Sequence, residues 1–163
     1  MTTDIKKLHH AAYRCRSSEE TRRFYEDFLG LRLVNAFEIK ETKSGRATRT
    51  LHTFYALADD SCLAFFEAPD LPFEFKQQHD FDLHMALEVE ESTLAPMIEK
   101  GRALGIDTRG PVDHGFITSI YFRDPNGYVI ELTAKQNIGE EAEARARNEA
   151  HSRLAAWTAR SKQ

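Results

Sequence analysis

Apolar and polar positions along this chain follow two periods, and the order in which those periods appear occurs twice. "IKKLHHAAYRC" (5–15) has the short alternation of a strand. "SSEETRRFYEDFLG" (17–30) changes to helical spacing, with Phe24, Phe28 and Leu29 on one face, Ser17 and Glu20 placed as a capping box, and Gly30 as the stop. Three strand-like runs follow: "LRLVNAFEI", "ATRTLHTFYAL" and "SCLAFFEAP". The order then starts again with "FDLHMALEV", a helical "ESTLAPMIEKGRALG" that turns Leu94, Met97 and Ile98 inward and ends at Gly105, and the runs "DTRGPVDHG", "ITSIYFRDP" and "YVIELTA". Each half therefore reads β-α-β-β-β. Superposing the halves sets His10 against His84 and puts Tyr55 and Tyr121 on corresponding third strands. Four strands and one helix cannot bury a core alone, so the predicted fold class is α+β, two paired modules in one domain.

A length of 163 residues suits that single domain. We place it at 1–137, with modules at about 6–70 and 80–135, and a helical tail at 138–163. The tail is alanine-rich and highly charged, and Leu154 and Trp157 are the anchors by which it is expected to dock. A hydrophobic share of 41% with 29% charged residues is that of an ordinary globular protein, and a net charge of -4 offers no basic face to nucleic acid. No apolar run reaches spanning length and "MTTDIKKLHH" lacks the apolar stretch of a signal peptide, so no membrane association and a cytoplasmic location are expected. Cys15 and Cys62 lack CxxC spacing and are expected to be reduced, structural thiols.

The chemistry-bearing residues sit on strands. An unpaired carboxylate on a half-buried strand is costly, yet "VDHGFITSIYFRDPNGYVIEL" (112–132) carries His114, Tyr121 and Glu131 among Ile117, Ile120, Phe122, Val129 and Ile130. A metal ion would relieve that cost. His10 on the first strand, His84 on the fifth and Glu131 on the eighth would meet on one concave sheet if the modules pack side by side. Two imidazoles and one carboxylate form a facial triad that holds a divalent metal and leaves positions open for substrate.

At these residues, through "LHHAAYRC", "RRFYEDFLGL", "LHMALEV" and "RDPNGYVIEL", the chain resembles the vicinal oxygen chelate superfamily over about residues 6 to 135. That superfamily includes glyoxalases, bleomycin- and fosfomycin-resistance proteins, methylmalonyl-coenzyme A epimerases and extradiol ring-cleaving dioxygenases. The resemblance implies a cupped, incomplete barrel around one divalent metal, and a homodimer. It selects His10, followed four residues on by Arg14, as the ligand in preference to His9, which is expected to point the other way. Val112-Asp113-His114, Ile120-Tyr121, Asp124-Pro125, Gly127 and Glu131 follow the order of the extradiol signature, which implies Glu131 as an iron ligand and His114 and Tyr121 as catalytic donors to substrate or dioxygen. The expected function is therefore cleavage of a catechol-like aromatic ring with Fe(II); Mn(II), Zn(II), Ni(II) and Co(II) stay open on ligand type.

Two other functions compete. A glyoxalase-like isomerase or lyase acting on a vicinal-oxygen substrate would use a fourth ligand on the fourth strand, where the family's "LELFE" reads "LAFFE" and puts Ala64 at the ligand position; Glu67 would ligate only if the strand slips. A metal-free, ligand-sequestering protein like those of bleomycin resistance would not need His10, His84 and Glu131, and Phe65, Phe66, Phe73 and Phe75 suit an aromatic ligand in either case. The extradiol acid/base histidine is replaced by Ser61, which leaves His52 and His79 as substitutes.

Overall fold

Ser17 opens α1 (Ser18–Arg22) as the capping box predicts, its hydroxyl accepting the Glu20 amide at 3.3 Å. The other half of the box does not form, because the Glu20 carboxylate turns back to Arg16 at 2.5 Å. The computed structural model describes residues 3–77, 79 and 81–161, so the outermost residues assigned to the domain and to the tail lie outside the described residues. A π-helical segment, Arg23–Phe28, continues α1 and buries Phe24, Tyr25 and Phe28; Gly30 ends it with φ +84°.

The first module's strands are β1 (His10–Cys15), β2 (Arg32–Glu41), β3 (Ala47–Ala56) and β4 (Cys62–Glu67), ordered β1-β4-β3-β2. The second has β5 (His84–Glu88), α2 (Glu91–Ala103), β6 (Thr108–Asp113), β7 (Ile117–Arg123) and β8 (Val129–Lys135), ordered β5-β8-β7-β6. In each sheet the first strand runs parallel to the last, a pairing that needs the helical crossover, and the other pairs are antiparallel. The two β-α-β-β-β modules are as predicted, and the sheets do not close into a barrel.

Alternation then sorts side chains between two faces of each sheet. Cys15, Tyr55, Leu63 and Phe65 of the first sheet and Ile120, Phe122, Ile130 and Leu132 of the second face the helices and join Tyr25, Phe28, Leu94 and Ile98 in one core shared by both modules. Polar contacts fasten the same junction. Asp124, in the Asp-Pro-Asn-Gly turn, is buried and accepts Tyr25 OH at 3.1 Å, Asn126 N at 2.9 Å and Tyr128 N at 2.8 Å. Asn126 takes Arg16 N at 2.9 Å on Oδ1 and gives Nδ2 to Thr21 Oγ1 at 3.2 Å. Burial raises the Asp124 pKa, only partly offset by these donors. A side chain at Gly127, φ +97°, would run into the Lys76 backbone.

The tail forms α3 (Glu140–Arg160), but it does not dock as expected: Leu154 and Trp157 are 63% and 64% exposed and no α3 residue is buried. Its alanine and arginine content supplies helix propensity without an apolar face wide enough to pack. No helix among the described residues is long and apolar enough to cross a membrane. Both cysteines are free, and burial pushes the Cys15 thiol up to about 11.

Candidate metal and substrate site

Register places the candidate residues in rows. On the second sheet Ala86, Glu131 and Tyr121 are direct partners across β5, β8 and β7, with His84 one row earlier. Glu131 thus points to the face away from α2, and it is only 5% exposed. Its two oxygens are engaged separately. His84 Nε2 stands 3.2 Å from Oε2, and Tyr121 OH donates to Oε1 at 3.3 Å. The Tyr121 oxygen is in turn 2.9 Å from His114 Nε2, which donates to it or accepts from it according to the imidazole tautomer. His114, Tyr121 and Glu131 therefore form one hydrogen-bonded chain, with His84 beside its carboxylate end.

The β6–β7 turn fixes the far end of that chain. Asp113 accepts Gly115 N at 2.7 Å and Gln136 Nε2 at 2.9 Å, and these bonds, the backbone one foremost, hold its carboxyl below the usual range. Burial first, and the Glu131 charge next, raise the Tyr121 pKa, which keeps the phenol protonated and a donor. The Arg109 guanidinium lies over the Tyr121 ring at 5.4 Å. His84, His114, Tyr121 and Glu131, with Phe81, Phe116 and Ile117, line a cavity of about 280 Å³. Phe81 and Phe116 carry no signal in the sequence that separates them from core aromatics; only their loop positions beside His84 and His114 place them here.

His10 occupies the matching row of the other sheet, paired with Cys62. It is exposed, its ring meets the edge of Phe54 at 5.5 Å, and its Nδ1 is 2.7 Å from Nδ1 of His9. His9 does not turn away as expected, because it precedes β1 and escapes the alternation; its carbonyl accepts the Cys62 amide. Among the described residues no three His, Cys, Asp or Glu side chains gather closely enough to hold one ion. One chain brings together His84, Glu131, Tyr121 and His114 and leaves His10 on the first sheet.

Glu67 is on the wrong face for a ligand. It pairs with Cys15 and turns toward α1, where its Oε2 accepts Ser18 N at 2.6 Å as a helix cap. Ala64, opposite Ala12 and Phe54, holds the row that Glu131 holds in the second sheet, so the first module offers a methyl group there. The same register makes Phe54, not Tyr55, the counterpart of Tyr121; Tyr55 is buried in the core. Ser61 is tied to Asp59 at 2.6 Å, and His79 is an exposed linker residue whose Nδ1 accepts Phe81 N at 3.1 Å. His52 does share the site face of the first sheet, with Nδ1 at 3.0 Å from the Phe65 carbonyl.

The donor set fits a divalent ion as far as one chain goes. A separation of 3.2 Å between His84 Nε2 and Glu131 Oε2 is close to the edge, about 3 Å, of a coordination polyhedron with metal–ligand bonds of about 2.1 Å. The hydrogen bond from Tyr121 to the other oxygen is the outer support that a ligating carboxylate needs.

Comparison with known proteins agrees with this fold. Residues 7–132 match the model of the Glyoxalase/Bleomycin resistance protein/Dioxygenase superfamily. A biphenyl-2,3-diol 1,2-dioxygenase from Rhodococcus globerulus is 49% identical over 43 residues, a match that spans 24% of this chain and 23% of that enzyme. Among solved structures, a glyoxylase/bleomycin resistance protein/dioxygenase domain from Frankia sp. has a TM-score of 0.65 at 17% identity, covering 82% of this chain and all of that one (100%). The fosfomycin resistance protein FosX from Listeria monocytogenes, complexed with Mn(II) and sulfate, has a TM-score of 0.60 at 18% identity over 81% and 94% of the two chains. At such identities the likeness is one of fold.

Proposed function

Because the chain belongs to the Glyoxalase/Bleomycin resistance protein/Dioxygenase superfamily, we propose that it is a divalent-metal enzyme of the extradiol type, opening a catechol-like ring with dioxygen. The observation that carries this proposal is the row His114–Tyr121–Glu131–His84, in which an imidazole and a phenol lead to a carboxylate–imidazole pair spaced for a metal, all lining one cavity. His84, Glu131 and His10 are the ligands, and Fe(II) is the ion suited to a two-histidine, one-carboxylate set used for oxygen chemistry. When bound, such an ion supplies a Lewis acid with open positions for the substrate and dioxygen.

The protein's own residues do the rest. On substrate binding, Tyr121 and His114 would turn from these mutual contacts to a substrate oxygen and stabilise negative charge as it develops there. The Glu131 bond keeps Tyr121 aimed, and Phe81, Phe116 and Ile117 give the ring an apolar wall. A four-ligand, glyoxalase-like centre would need an oxygen ligand where Ala64 stands, with Glu67 turned to α1.

His10 reaches the site from a second copy of the chain. The junction of the modules uses the helix-facing sides of both sheets and leaves His10, Ala12, His84 and Ala86 exposed on the site faces. A homodimer that lays one copy's first sheet against the other's second sheet completes the triad twice. The test is anaerobic reconstitution with Fe(II) followed by oxygen uptake against simple catechols and 2,3-dihydroxybiphenyl. Uptake with the yellow colour of a ring-opened product is expected; no uptake with any catechol by iron-loaded protein would reject the assignment.

A further inference from the structure

The site face of the first sheet carries a second feature, at the end of β1 away from His10. Arg14 shares that face with His10 and Ala12, and lies in one row with Phe66 and His52. Its Nη2 donates to the Leu71 carbonyl at 3.3 Å, while its Nε is buried with no partner. No carboxylate among the described residues pairs with it. A buried guanidinium N–H without an acceptor is costly, and an anion that reaches Nε and its neighbouring Nη would relieve that cost. A carboxylate fits best, since it accepts two parallel N–H bonds from the guanidinium fork.

Between His10 and Arg14 the face is paved with rings. Phe54 touches His10 at 5.5 Å and His52 at 4.2 Å; His52 stacks on Phe66 at 3.7 Å and 11°, and Phe37 closes the side against His52 at 5.4 Å. His52 is locked in place, because a carbonyl can only accept and so fixes a proton on its Nδ1. Four strand residues span about 13 Å from His10 to Arg14, enough for a diol ring and a short acid-bearing arm.

We infer that the substrate is an aromatic acid: its ring lies on Phe54 and Phe66, and its carboxylate pairs with Arg14. This deepens the function proposed above, and rests on it for the position of the diol end only. The test uses the full-length, metal-free protein and two probes without vicinal hydroxyls, 3-phenylpropanoate and its neutral counterpart 3-phenylpropan-1-ol, titrated by NMR. The acid is expected to bind about ten- to a hundred-fold tighter than the alcohol, the value of a charge-assisted pair. Arg14→Gln should erase that preference, Arg14→Lys should retain part of it, and Phe66→Leu should weaken both probes alike, with unchanged circular dichroism in each variant. Equal affinity for the two probes, a preference that survives in Arg14→Gln, or no binding of either at millimolar concentration would each overturn the inference. Neither probe can be cleaved, so failure here leaves ring cleavage standing, and failure of oxygen uptake leaves this binding result standing.

Discussion

Glu131 is a strand residue whose two oxygens have different duties, one beside His84 and one holding Tyr121. That division predicts separable effects. Tyr121→Phe and His114→Ala should keep the metal content of the wild type by elemental analysis, while ring-cleavage turnover falls by roughly ten- to ten-thousand-fold, as for losing a positioned proton donor or oxyanion partner. Metal loss in either variant would make the residue a ligand instead. Glu67 has the opposite profile. Glu67→Ala should leave metal content and turnover unchanged and lower stability to urea by about 1 kcal/mol, the cost of a lost helix cap. At this scale the sequence was informative about identity and silent about direction. His10, His84 and Glu131 stand out as polar residues on apolar strands, but a one-residue uncertainty in register moves Glu67 between faces. His9 defeats alternation because it sits just before the strand begins.

At the scale of elements, the Asp-Pro-Asn-Gly turn does more than reverse the chain. Asp124 and Asn126 reach from it to Tyr25, Arg16 and Thr21, so a hairpin turn of the second module clamps the first helix. Asp124→Ala would leave the Tyr25 hydroxyl and two amides unpaired in the core and should cost roughly 2–3 kcal/mol in urea unfolding. A loss below about 0.5 kcal/mol would mean that the clamp contributes little. The turn itself was legible from four residues, whereas its partners lie about a hundred residues away in sequence and no local pattern encodes them. The strands and both module helices were legible for the same reason in reverse, since periodicity and caps are local signals. The tail helix shows the limit of composition: Leu154 and Trp157 suggest docking, but nothing among the described residues covers them.

At the scale of the whole molecule, duplication gives two sheets with similar faces and different equipment. The second carries the carboxylate and the donors; the first carries His10, an aromatic floor and Arg14. The helix-side junction shared by the modules turns neither site face toward the core, and this is why the predicted triad is gathered only in part within one chain. The internal repeat made the pairing of modules visible in the sequence; which module pairs with which depends on the junction of the two and was not visible there. The most direct measurement is complementation. His10→Ala and His84→Ala variants, each with one ligand removed, are purified separately, then unfolded, mixed, refolded and loaded with Fe(II) under anaerobic conditions. If the triad is built across two copies, each variant alone binds no stoichiometric metal, and the mixed dimer regains one intact site with its ring-cleaving activity. Mixed dimers that form yet remain without metal and activity would contradict a site shared between copies.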